Sequence, residues 1–234
     1  MAFEDTLSDS VDDIFGTAFD QRDGRVVPET DDVSSTQAVK IEGAFLYADL
    51  AGSAKIAQVC PWDTTAKIIK AYLDCAVRLI RVYGGHIRSF DGDRVMGVFM
   101  GDRKNSDAAD CAREIDWATE RIIQPKAAAK FNSVKNNDVK IRQACGIDSG
   151  DARAVRAGIR GNNDLIWIGK PPSMAAKLSD VREYPYSTFI SSRVYAKLRA
   201  DAKKVNGKDI WEKRSFTFAG EAEVVYRSSW MKKP

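Results

Sequence analysis

Residues 41–53 read IEGAFLYADLAGS, and the pattern of this stretch decides how the rest of the chain is organised. The run from Ile41 to Leu50 is largely apolar, as a strand buried within a sheet requires, and near its end it carries a carboxylate, Asp49. Ala51, Gly52 and Ser53 follow at a strand-to-helix junction. Small residues there let backbone N–H groups approach an anion, so the junction is a phosphate site by geometry. It is not a P-loop, because G-x-x-x-x-G-K-[ST] is absent from the chain. A helix follows, with Asp63 as its N-cap and Ala66, Ile69, Leu73, Ala76 and Ile80 at helical intervals, until Gly84-Gly85 stops it.

Working outward, GGHIRSF and RVMGVFM form two short strands around Asp91-Gly92-Asp93, a tight-turn signal because Gly accepts positive φ. Asp93 therefore stands at a strand end, as Asp49 does. If the first strand lies beside this hairpin, the two carboxylates converge, and a pair of hard oxygen ligands is what Mg²⁺ or Mn²⁺ needs. A hairpin alone explains Asp91-Gly92-Asp93; the pairing with Asp49 is what points to metal. Ala108, Cys111, Ile115, Ala118 and Ile122 mark a second long helix. VKIRQACGI (139–147) alternates as a half-buried strand, and DARAVRAGI and DLIWIG continue as strands. Gly169-Lys170-Pro171-Pro172 opens a third helix, since Pro is accepted in a first helical turn. TFISS, a helix near 192–202, DIWEKRSFTF and AEVVYRSSW supply a strand, a helix and a final hairpin. The fold class expected is α+β, with helices packed on one face of a sheet.

Residues 1–40 read as an acidic arm or linker, and residues 41–234 as one domain. Leu7, Val11, Ile14, Phe15 and Ala18 share one helical face, so the arm is either a short amphipathic helix or a mobile tail. The net charge of +3 hides an asymmetry. Residues 1–32 hold ten Asp and Glu against two Arg, leaving 34 Lys and Arg against 23 Asp and Glu, a net +11 in the remainder. Such a body suits a polyanion, whether a nucleoside triphosphate or a nucleic acid. RNA-binding modules on related sheets carry K/R-G-F/Y-G/A-F-V-x-F/Y, which is missing here, so no nucleic-acid partner is expected. Cys60, Cys75, Cys111 and Cys145 form no C-x-x-C pair, and His86 is the single histidine, which argues against a zinc site and a disulfide framework. With no long apolar run and an acidic N-terminus, the expectation is a cytoplasmic protein without a membrane partner.

Four segments, in order, resemble the class III adenylate and guanylate cyclases. FLYADLAGSAKIA resembles their first metal motif, and GGHIRSFDGDRVMGVF their Gly-Gly, strand, Gly-Asp, strand segment. CGIDSGDARA resembles their Gly-Ile-x-x-Gly strand, and WIGKPPSMAAKLS the segment opening their catalytic helix. The resemblance implies a ferredoxin-like sheet and an obligate or near-obligate homodimer with active sites at the interface. It implies two divalent cations, Mn²⁺ or Mg²⁺, held by Asp49, Asp93 and the main-chain carbonyl of Leu50, and a nucleoside triphosphate substrate closed to a 3′,5′-cyclic nucleotide. Lys177 stands where the family has its transition-state Arg, and Ser173 where it has Asn. Ser89 and Ile166 stand where purine cyclases carry their base readers, flanked by Arg88 and Trp167. Ala219 stands where a C-terminal Lys usually meets the triphosphate, with Lys213 and Arg214 nearby as substitutes. A small chain with altered base readers resembles the bacterial pyrimidine cyclases of Pycsar antiphage systems. That resemblance implies UTP conversion to cyclic UMP, with CTP or a purine triphosphate as alternatives, and a separate effector that responds to the product. A degenerate nucleotide-binding module, or an RNA-binding module, is the reading outside enzymes.

Overall fold

The computed structural model describes residues 2–159 and 161–234. After a helix α1 (Phe3–Gly16) and a short strand β1 (Asp20–Asp23), the strand expected from Ile41 proves longer at both ends, as β2 (Gln37–Ala51). Gly52, at φ 75°, turns the chain into α2 (Ser53–Val59), and α3 (Trp62–Val82) follows. The single helix expected here is thus two. Asp63 lies inside the first turn of α3, paired with Lys67 at 2.6 Å, and Pro61 takes the N-cap position. The buried stripe of α3 runs Thr64, Ile68, Tyr72, Ala76 and Ile80, with Ala66, Ile69 and Leu73 half-buried along its flank. Strands β3 (His86–Asp91) and β4 (Arg94–Phe99) close on the two-residue turn Gly92-Asp93, with Gly92 at φ 60°. Helix α4 (Lys104–Ala118) continues through a π turn, Thr119–Ile123, into α5 (Gln124–Lys130). The widened turn inserts a residue, so the stripe resumes on buried Ile123 rather than on the expected Ile122.

After α6 (Asn132–Asn136), β5 (Arg142–Ile159) and β6 (Asn162–Ile168) form a hairpin. Next come α7 (Lys170–Ser179), β7 (Thr188–Ser191), α8 (Ser192–Ala196) and α9 (Ala200–Lys203), the last two replacing the one helix expected there. A minor ribbon of β8 (Lys204–Val205) and β9 (Lys208–Asp209) precedes the final hairpin, β10 (Glu212–Phe218) and β11 (Glu221–Ser228).

Two compact units emerge. The larger, Glu42–Ala152 with Gly169–Pro234, holds a sheet in the order β10-β11-β7-β5-β2-β4-β3, mixed because β5 and β7 run parallel. Its helices cover both faces, which corrects the expectation of helices on one face. Ala44, Leu46, Ala48 and Leu50 of β2, with Cys145 and Ile147 of β5, meet α3 and α4. Ala144 on the opposite side of β5 packs with Phe189, Val225 and two residues of α7, Met174 and Leu178. Because side chains alternate along a strand, odd and even residues of β5 serve different layers, and β5 is buried from Gln143 to Ser149. The smaller unit joins the residues up to Ile41 with Arg153–Ile168. There β1 runs parallel to the start of β2, and Arg153 donates to Gln21 at 2.6 Å. Helix α1 forms as its periodicity suggested but buries none of its residues. Among the described residues no helix is long and apolar enough to cross a membrane, and all four cysteines are free thiols.

Candidate active site

The alternation of β2 places Ala48 and Leu50 in the core and leaves Tyr47, Asp49 and Ala51 half-buried on the other face. Asp49 is paired in register with Arg94, the residue next to Asp93, so the end of β2 lies beside the turn of the hairpin as the sequence suggested. Burial pushes the Asp49 carboxyl up, Arg182 pulls it down, and the nearby charge of Asp93 pushes it up again. Leu50 as a whole residue is 1% exposed, with its side chain in the core. At Gly52 an added Cβ would meet nothing within 4 Å, which leaves the Ala51-Gly52-Ser53 turn open.

Two observations bear on whether this site suits a divalent cation. Among the described residues no three His, Cys, Asp or Glu converge. A two-carboxylate site is therefore no closed cage, but Mg²⁺ commonly binds through one or two carboxylates together with waters and substrate phosphates. Beneath the site, the hydroxyl of Tyr72 on α3 is fully buried with no hydrogen-bond partner among the described residues. Burial raises its ionisation well above the ordinary range, and both Asp49 and Asp93 add to the rise. A buried hydroxyl without a protein partner that feels both carboxylates leaves a polar position unsatisfied near them. The donor set fits the group.

Two arginines, neither singled out in the sequence, surround the carboxylates. Arg182 is ion-paired with Asp49, and Arg94 bridges Asp91 at 2.9 Å and Asp180 at 3.3 Å while lying 5.6 Å from the Tyr47 ring. Arg182 was invisible because its partner lies 133 residues away. Ser173 and Lys177, four residues apart, are both exposed on one face of α7. Lys177 forms no ion pair with Asp49 or Asp93 among the described residues; within one chain Arg182 takes that place. Arg88 sits at a β-bulge between Ile87 and Ser89, a feature that re-aims a side chain. Ile166, 47% exposed opposite Val155, and Trp167, opposite Ala154, belong to the smaller unit. Arg214 is committed to Glu183 at 2.9 Å, and Ala219, at φ 51°, lies in the turn of the last hairpin. A cavity of about 740 Å³ adjoins the Ala51-Gly52 turn, with Arg182 and Asp116 in its lining.

No family model matches the chain. A uridylate cyclase of Rhodovulum sp. (strain MB263) is 45% identical over 237 residues, covering 100% of this chain and 99% of that protein. A second, from Burkholderia cepacia, is 39% identical over 233 residues, covering 98% of each. This chain belongs to the uridylate cyclase family. The adenylyl cyclase CyaB of P. aeruginosa superposes with a TM-score of 0.67 at 17% identity, covering 82% of this chain and 95% of that one. At that identity the likeness speaks for fold alone, and the fold is that of the class III nucleotidyl cyclases.

Proposed function

We propose that this member of the uridylate cyclase family closes UTP to 3′,5′-cyclic UMP and releases pyrophosphate. The observation that carries the reading is the convergence of Asp49 and Asp93 beside an open, glycine-turned junction. Asp49, Asp93 and the main-chain oxygen of Leu50 hold two divalent cations, Mg²⁺ or Mn²⁺. When bound, these lower the pKa of the ribose 3′-hydroxyl and offset triphosphate charge. The Ala51-Gly52-Ser53 turn lies against the phosphates, where its bare main chain can approach closely. Lys177 offsets charge developing on the α-phosphate oxygens. It does so as a point charge, without the two-pronged fork of an arginine. Ser173 orients the ribose.

The active unit is a head-to-tail homodimer. What supports this is the exposed face of α7: Ser173 and Lys177 point away from the core and have no carboxylate partner in Asp49 or Asp93 of their own chain. One copy supplies the metal half and its partner supplies the α7 half. Base choice follows from what is missing. Ile166 has no group to hydrogen-bond an adenine amino group or a guanine edge, and Ser89 lacks the reach of a charged reader, so purines lose their discrimination. Arg88 and Trp167, which flank Ser89 and Ile166 in the sequence, are the side chains left to read the smaller ring. The product is a diffusible signal for a separate effector.

Incubation with each of the four ribonucleoside triphosphates and Mn²⁺, with products identified by mass, tests the reading. Cyclic UMP should predominate and vanish in Asp49→Ala and Asp93→Ala. Cyclic CMP would move the substrate within the pyrimidines; cyclic AMP or GMP would defeat the base argument.

A further inference from the structure

The Arg182 guanidinium stands where a metal ligand's cation would stand. Its Nη2 donates to Asp49 Oδ2, while its Nη1 donates to the main-chain oxygens of Ser179 at 2.5 Å and Val181 at 3.1 Å. Ser179 is the last residue of α7, and the free carbonyls and dipole at a helix C-terminus favour a cation. The arginine therefore has two sets of partners, and a divalent ion competes for only one of them. Asp49 is 14% exposed and Arg182 40%, so the pair is reachable from solvent on the arginine's side. Arg182 also lines the cavity that adjoins Ala51 and Gly52. A divalent ion on Asp49 and a guanidinium on its Oδ2 would stand close together, and their like charges repel at short range, so the two compete for the carboxylate.

We propose that Arg182 is an exchangeable counter-cation: it fixes the Asp49 carboxylate before metal enters, then, displaced but still tethered to the α7 carbonyls, turns into the adjoining cavity to meet the nucleotide's triphosphate. The inference rests on the reading of Asp49 as a metal ligand. Arginine suits the task since it never loses its charge and presents five donors, so Nη1 keeps the tether while Nη2 changes partner. The same exchange gives the triphosphate a basic partner from its own chain, where the family's C-terminal lysine is replaced by Ala219.

Mn²⁺ binding to the nucleotide-free full chain, followed by the electron paramagnetic resonance of free Mn²⁺, tests the displacement. Arg182→Gln removes the charge while keeping a polar side chain, and should tighten Mn²⁺ binding roughly 3- to 10-fold. The same variant should raise the KM for UTP by about 10-fold, the loss of one charge-assisted contact. In the wild-type chain, Mn²⁺ should speed modification of Arg182 by a dicarbonyl reagent, read by mass spectrometry, a measurement that needs no variant to fold. Unchanged or weaker Mn²⁺ binding in Arg182→Gln, or Arg182 labelling indifferent to Mn²⁺, overturns the exchange. If Asp49→Asn loses Mn²⁺ while Arg182→Gln matches the wild type, the metal site stands and the exchange alone is refuted. If Asp49→Asn binds Mn²⁺ as the wild type does, both fall.

Discussion

Gly146 lies on β5 directly beneath α7, and replacing it by alanine is the sharpest test of whether the position of that helix sets the reaction. A methyl group on its Cα would stand 2.1 Å from the carbonyl oxygen of Ala175 and 2.3 Å from the amide nitrogen of Ser179. Ordinary contact begins near 3.4 Å, so α7 must retreat by about 1.3 Å. Both obstacles are backbone, so no side-chain rotation relieves them. The expected stability cost is about 3 kcal/mol, the upper end for overpacking, and a fall in Tm of roughly 6–12 °C. The effect on turnover should be larger than the fall in stability would explain. Helix α7 carries Ser173 and Lys177 and leads into Arg182, and a displacement on the order of 1 Å at reacting groups costs about 100-fold. Cyclic UMP formation at saturating UTP and Mn²⁺, measured well below the variant's Tm, supplies the rate. A rate within about twofold of the wild type in a folded Gly146→Ala protein would refute the argument that α7 positions the chemistry.

Lys177→Ala should lower the rate by about 100- to 1,000-fold without altering Mn²⁺ binding, checked by initial rates and metal titration. Mixing inactive Asp49→Ala with inactive Lys177→Ala should recover up to about one quarter of wild-type activity, because half the dimers are mixed and each holds one intact site. No recovery despite proven subunit exchange would argue against a shared site. Asp116, 6% exposed, has its carboxyl pushed by burial from 3.8 up to about 6. A carboxylate whose folded pKa is raised stabilises the fold fully below its unfolded pKa and loses that contribution as pH rises through the folded value. Wild-type stability should therefore fall by about 2 kcal/mol between pH 4 and pH 7 from this group. Asp116→Asn, which keeps an acceptor for Gln143, should remove that slope and melt higher than the wild type at pH 7.5 but not at pH 4. Parallel pH profiles of the two proteins would contradict it.

What the sequence made legible is local in origin. The β3–β4 turn follows from Asp91-Gly92-Asp93 because positive φ at Gly92 is a property of one residue, and the Asp49–Asp93 convergence follows once β2 and that hairpin are neighbours. Helix periods were read less well. On α3 the apolar count passed over Thr64 and Tyr72, which lie in the buried stripe, and past α4 the π turn shifted the phase by one residue. Neither signal resides in hydrophobicity alone. Arg182 lay beyond reach for a different reason, since only the tertiary fold brings it to Asp49.

The second helical layer was unreadable for a reason that also explains the site. Strand β5 is buried on both sides, so its pattern does not say which side a helix will take. Once Cys145 and Ile147 face α3 and α4, Ala144 and Gly146 must face the other way, and α7 covers them. On β2 the same alternation turns Ala48 and Leu50 to the core and Asp49 to the α7 side. The Asp49 carboxylate thus lies in the layer that leads into Arg182, while Lys177 points away from that layer on the exposed face of α7. Arg182, just past the end of that helix, thereby pairs with its own chain's Asp49, while Lys177 on the helix's open side pairs with neither Asp49 nor Asp93 among the described residues.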